Sequence, residues 1–225
     1  MTSDDMNKNE RRAIGKPAIP RGHVRDACLA EALRIIEELG VEALSFREVS
    51  RRLGVSYQAP YKHFESKDSI IAELLTRCFD EFASHLEAGP LSGNAAQDMY
   101  ALGENYFDYA RRFPTKYRLM FETPMPEPEK HPAMMAQARR AFTLLKVRLA
   151  AMTVLPIAPT GQSSANLDAL FVWSVVHGLA SILNADTIKT LNFSEWELHQ
   201  AAAHCLARIG VGLGGNAALA GNPPG

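Results

Sequence analysis

Residues 56–63 read Ser-Tyr-Gln-Ala-Pro-Tyr-Lys-His, and their polar tips suit one kind of chemistry. A glutamine amide pairs with adenine N6 and N7, while a lysine ammonium reaches guanine or a phosphate oxygen. Gln58 and Lys62, four residues apart, could present both groups on one side of a helix. On a helical wheel begun at Ser56, Pro60 and Phe64 turn inward and Tyr57 and Tyr61 flank. Gln58, Ala59, Lys62 and His63 then face outward. Ser56 is an apt N-cap, and the open amides near Ser56 and Tyr57 favour a phosphate. Arg47 and Lys67 lie on either side and could hold the sugar-phosphate backbone. Pro60, the fourth residue after Ser56, removes at most the first intrahelical donor, so a helix is expected to persist through it.

Other chemistry finds little support. There are seven histidines, but His199 and His204 are five apart, not the four that sets two metal ligands on one helix face. No Glu-x-x-His pair recurs, and the chain has neither a glycine-rich phosphate loop nor a Gly-x-Ser-x-Gly elbow. No catalytic residue, metal or cofactor is therefore expected. Cys28, Cys78 and Cys205 are too scattered for a disulfide framework or a zinc site, which fits a reducing cytoplasm. Lys plus Arg number 24 against 25 Asp plus Glu, so affinity for a polyanion must come from local clustering. The N-terminal MTSDDMNKNERRAIGK has no apolar signal core, and no stretch reads as the run of about 20 apolar residues a membrane span needs. A soluble cytoplasmic protein is expected.

The elements that must position Gln58 and Lys62 are helical. Apolar residues at Val24, Ala27, Cys28, Ala32, Ile35, Ile36 and Leu39 recur at helical spacing, with Gly40 placed as a C-cap. Ser45-Phe-Arg-Glu48 is a capping-box pattern that opens a second helix, with Phe46, Val49 and Leu53 inward and Gly54 at its stop. Two short helices joined by a tight glycine turn make a helix-turn-helix, whose second helix fits the major groove. A packed helical corner has the same pattern. Composition favours DNA, because Arg47, Arg51, Arg52 and Lys62 meet only Glu48 within residues 45–63. Ser66 caps a longer pattern to about Leu86, and GPLSGN at 89–94 shifts the composition. Helical periods follow near 95–113, 115–121, 133–154, 164–185 and 195–213, parted by the proline-rich TPMPEPEKHP and LPIAPTGQSS. No alternating strand run or internal repeat occurs.

The stretch from Arg25 to Leu75, centred on VSYQAPYKHFESKDSII, resembles the DNA-binding domain of the TetR family of bacterial transcription regulators. The Val-Ser-x4-Tyr-x-His-Phe-x2-Lys spacing carries that resemblance. It implies a three-helix N-terminal domain in which Tyr57, Gln58, Tyr61, Lys62, His63 and Lys67 touch DNA, with Pro60 standing where the family often has Leu. Trp173-x3-His177-Gly178 is similar to the Trp-x3-His-Gly signature of one C-terminal subgroup of that family.

The expected fold is thus all-α, with a DNA-binding domain at 22–68, a larger ligand-binding and dimerisation domain at 69–213, a flexible basic arm at 1–21 and a disordered tail at 214–225. The cations of the arm belong to a solvated tail or enter a minor groove beside the operator. Ser174, Gly178 and Ser181 form one small-residue stripe and Ala203, Ala207 and Gly210 another; these serve intrachain packing or a four-helix homodimer interface. Met99, Leu102, Tyr106, Tyr109 and Phe113, joined by Tyr117, Phe121, Phe142, Phe171 and Trp173, form either core or the wall of a small-molecule effector site. His177 is a wall residue or a hydrogen-bonded core histidine. The family resemblance implies an effector whose binding lowers affinity for a two-fold double-stranded DNA operator. The rival class is an all-helical ligand-binding protein or enzyme without DNA binding.

Overall fold

The computed structural model describes residues 23–152 and 165–213. The basic arm, the disordered tail and LPIAPTGQSS, all read from sequence, lie outside these residues. Among the described residues every regular element is helical: α1 (Val24–Leu39), α2 (Phe46–Leu53), α3 (Lys67–Leu86), α4 (Ala95–Arg112), α5 (Pro114–Glu122), α6 (Pro132–Ala150), α7 (Ala165–Asn184) and α8 (Glu195–Gly212). The chain divides into two compact units, Met1–Leu74 and Leu75–Gly225. The division falls inside α3, rather than after residue 68 or at GPLSGN.

In the first unit the buried stripe is Cys28, Leu29, Ala32, Ile35 and Ile36 of α1 against Phe46 and Val49 of α2. Leu39, assigned inward by the sequence, is 58% exposed, and Leu29 takes a core position instead. Gly40 closes α1 at φ 84°, its amide donating to the Ile36 carbonyl at 3.0 Å. Gly54 turns the chain at φ 68°, a left-handed conformation that costs a Cβ-bearing residue energy. Ser45 caps α2 by accepting from the Glu48 amide at 3.2 Å, but the reciprocal half of the expected capping box is missing. The Glu48 carboxylate accepts from Arg51 and Arg52 instead. A complete box forms at Ser194 and Glu197, opening α8.

The third helix of this unit is the principal departure from expectation. Residues 57–59 form a turn and Pro60–Lys62 a single 3-10 turn. Pro60 has no N–H to give the Ser56 carbonyl, which accepts from the Ala59 amide at 2.9 Å, three residues on. The Lys62 amide likewise donates to the Ala59 carbonyl at 3.3 Å. Eliminating the first α-type bond of so short a segment removes its nucleus, and the tighter i→i+3 pattern takes over.

The second unit is a bundle of α4–α8 with the later part of α3. Tyr109, Tyr117, Leu119 and Met134 are fully buried. Helix α7 is, among the described helices, long and apolar enough to cross a membrane by length and composition, which corrects the expectation that no stretch is. Here its Ala169, Val172, Val176 and Ala180 are buried against neighbouring helices. Helices α4 and α8 approach closely at Gly103, where an added Cβ would lie 2.3 Å from Leu206 Cδ2. The clashing Leu206 methyls are the far end of a flexible side chain, and a helix interior favours alanine over glycine by about 1 kcal/mol, so Gly103→Ala should change stability by no more than about 1 kcal/mol in urea unfolding; a larger loss would show that Leu206 cannot turn aside.

Candidate functional site

Two sites stand out, one in each unit. In the first, the turn at 57–63 exposes Tyr57 (55%), Tyr61 (50%), Gln58, Lys62 and His63, while Pro60 and Phe64 are buried beneath it. Ala59 is half-buried and Ser56 exposed. The platform is aromatic: Tyr61 meets Phe46 edge-on at 4.7 Å, and the hydroxyls of Tyr57 and Tyr61 share a 3.0 Å hydrogen bond. Below them the Arg25 guanidinium lies 5.4 Å from the Phe64 ring centroid and pairs with Glu73 at 3.1 Å. The wheel built for a full helix thus sorted inward from outward side chains, although the helix itself is absent. Ser56 makes no cap, and the helix-terminus phosphate site expected there does not form.

Charge is distributed more selectively than the sequence suggested. Arg52, read as outward, is only 16% exposed and reaches Glu31, Glu38 and Glu48 at 3.7, 2.6 and 2.8 Å. Arg51 pairs with Glu48 at 2.6 Å. Hydrogen bonds from Arg51 and then Arg52 hold the Glu48 carboxyl down at about 2. The carboxylates of α1, distant in sequence, are what the local count omitted. Arg47 and Lys62 are exposed, and neither is paired with a carboxylate among the described residues. Lys67 has only long contacts to Glu42, 3.5 Å to its carbonyl and 4.0 Å to its carboxylate. Arg47, Ser50, Val55 and Tyr57 line a shallow depression, where the buried Ser50 hydroxyl has no hydrogen-bond partner among the described residues.

In the second unit a cavity of about 560 Å³ lies among α3–α8. Of the residues expected in an effector wall, Met99, Leu102, Tyr106, Phe121, Phe142 and Trp173 line it, whereas Tyr117 and Phe171 do not. Tyr109 does not: it is fully buried, its hydroxyl donating to the Cys78 carbonyl at 3.4 Å. Phe113 does not either, because it ends α4 stacked 5.0 Å from Tyr109 with the Lys116 ammonium 4.8 Å over its ring. His177 is likewise absent from the lining and instead anchors it. The Tyr117 hydroxyl is 2.7 Å from His177 Nδ1, and the Tyr106 hydroxyl is 3.0 Å from Tyr117 and 3.2 Å from Nδ1. The three groups can satisfy one another in either sense: Nδ1 accepts from Tyr117, with Tyr106 donating to Tyr117 and the ring proton on Nε2, or Nδ1 carries the proton and donates to a phenol oxygen. Burial raises the Tyr106 phenol and lowers the His177 imidazole, keeping both neutral.

The sequence missed Phe79, Phe82 and Leu86 of α3 and Met120 and Leu206 as wall residues. Their helical period was legible, but the period says which face is buried, not whether it meets a neighbour or a void. The small-residue stripes also divide. Ala207 and Gly210 line the cavity, Ser181 lies beside the Tyr117 hydroxyl, and Ala203 is half-buried. Ser174 is exposed, its hydroxyl donating to the Leu170 carbonyl, and a Cβ on Gly178 would meet open space.

Because partial burial holds the His177 imidazole below the ordinary 6.5, an unfolded chain takes up its proton first as pH falls. The stability contributed above pH 6.5 is then lost progressively below it. His177→Gln should flatten the fall of unfolding free energy below that value in urea titrations; an unaltered slope would refute the burial effect.

Comparison with known proteins matches residues 29–74 to the model of bacterial regulatory proteins of the tetR family, and residues 99–204 to a tetracyclin repressor-like C-terminal domain. The HTH-type transcriptional activator FasR of Mycolicibacterium smegmatis is 31% identical over 129 residues, covering 53% of this chain and 59% of that protein. The chain therefore spans under two thirds of that relative's length. The crystal structure of regulatory protein SCO4313 superposes with a TM-score of 0.68 at 26% identity, covering 84% of this chain and 96% of that one. PfmR, a TetR family transcriptional regulator from Thermus thermophilus, superposes with a TM-score of 0.59, covering 84% of this chain and 97% of that one. At 19% identity it speaks for the fold alone.

Proposed function

The chain belongs to the TetR family of bacterial regulatory proteins and is a DNA-binding transcriptional regulator, and we propose that it is a cytoplasmic homodimeric repressor released by a small-molecule effector. The carrying observation is the exposed set Tyr57, Gln58, Tyr61, Lys62 and His63 on an aromatic platform, beside Arg47, which is unpaired among the described residues. Gln58 reads a base edge, Lys62 and Arg47 neutralise phosphates, and Lys67 supports the backbone from the start of α3. Ser56 and Ala59 are small enough to let the duplex approach.

The exposed side of α7 supports the homodimer. Leu167, Leu170, Phe171, Ser174, Gly178 and Ile182 follow one another at helical spacing and remain uncovered in the single chain. Pairing that face with its copy buries apolar surface and sets two reading heads against a two-fold operator. The cavity supports the effector, whose binding shifts the population away from the DNA-competent form. The chain acts by binding, with no catalysis of its own. The activator name of the Mycolicibacterium smegmatis relative favours a second reading, activation, which in vitro transcription with and without protein separates from repression.

A gel shift with the DNA upstream of its own gene provides the direct test. Tyr61→Ala with Lys62→Ala should weaken binding at least about tenfold, and loss of the Lys62 contact should reduce the salt slope by about 1. Retention of wild-type affinity would reject this surface. Light scattering should return twice the 24.7 kDa chain mass at micromolar concentration; a monomer would exclude the α7 pairing.

A further inference from the structure

We propose that the effector is an amphipathic anion, with a flexible apolar body in the cavity and an acidic head at Arg208. This rests on the reading of the cavity as the effector site and adds the chemistry of the ligand. The cavity holds about 560 Å³, within the range of drug-sized ligands. Its walls are apolar, with Phe82, Phe142, Val176 and Leu206 contributing bulk and Met99 and Met120 supplying adaptable side chains.

Polarity is spent inside and left open at the edge. Deep in the wall, the Tyr106 hydroxyl is already bonded to Tyr117 and His177. A ligand polar group placed there would lose water and gain no partner. Helix α8, in contrast, offers two faces to the cavity. Leu206, Ile209 and Leu213 are buried and form an apolar floor, whereas His204 and Arg208, one turn apart, are exposed and form a rim.

Arg208 carries the fixed charge of that lining. No carboxylate stands among the described lining residues, and Arg208 is paired with none among the described residues. Residues 153–164 and 214–225 carry no charged side chain; Asp4, Asp5 and Glu10 are the acidic residues outside the described ones. A guanidinium remains protonated at any working pH, and its attraction for an anion grows where an apolar wall displaces water. The shared chemistry is an anionic head, carboxylate or phosphate monoester, on an apolar chain.

Decanoate, decyl phosphate, decanol and decylamine, each below its micellar concentration, distinguish the cases by calorimetry on the full chain. Trp173, which lines the cavity, reports the site by fluorescence once the 71% exposed Trp196 is replaced in Trp196→Phe. One or both anions should bind about tenfold more tightly than decanol, decylamine should bind most weakly, and the tighter anion identifies the head. Arg208→Gln should bring the anions to the decanol level and leave decanol binding unchanged, which also shows that the variant is folded. Equal affinity for anion and alcohol, or a preference that survives Arg208→Gln, overturns the proposal while leaving an apolar effector site standing. If no probe releases heat or alters Trp173 fluorescence, the effector reading of the cavity falls, and the proposal with it.

Discussion

The guanidinium of Arg52 reaches Glu31 and Glu38 on α1 as well as Glu48 on its own helix, and this junction fixes how α2 leaves α1. A charge that is mostly buried must be paired to be tolerated. Here the pairing adds to the apolar packing of Cys28, Leu29, Ala32, Ile35 and Ile36 of α1 against Phe46 and Val49 of α2. It also neutralises carboxylates of α1 and α2 within the first unit. Arg47 and Lys62 keep their charge available, and a chain with almost no net charge still presents a locally cationic surface. Placement, not amount, makes a near-neutral protein suitable for a polyanion.

The same economy governs the second unit. Gly103 lets α4 and α8 approach, and the Tyr106–Tyr117–His177 bonds satisfy the buried polar atoms of α4, α5 and α7 among themselves. Side chains so paired do not seek partners in the space they enclose. What remains is an apolar cavity in a helical bundle that would otherwise close. Ion pairs outside it, Lys116 to Glu81 and Arg140 to Asp80 and Glu87, hold α5 and α6 to α3 while the interior stays unfilled.

Helix boundaries were legible because capping residues and apolar periods are local signals. Ser45, Gly40 and Ser66 stand where the structure uses them, and α4 to α8 begin and end within a few residues of their expected limits. Inward and outward sorting around residues 57–64 was also legible, since burial of Pro60 and Phe64 survives the change from an α to a 3-10 turn. The turn type was not, because one missing donor matters only when the segment is too short to nucleate around it. Nor was the fate of Arg52, whose partners on α1 lie well outside the window that a local count of charges spans.

The sequence by itself determined the helical class, the order of elements and the exposure of Gln58 and Lys62, all of which follow from neighbours within a turn or two. Tertiary structure alone decided which cations are neutralised, that His177 anchors the cavity wall from behind it, and that Ala207 and Gly210 look into the cavity. The physical reason is that pairing and void space depend on the distance between elements. A one-dimensional period records which face of a helix is apolar, but not what lies opposite it.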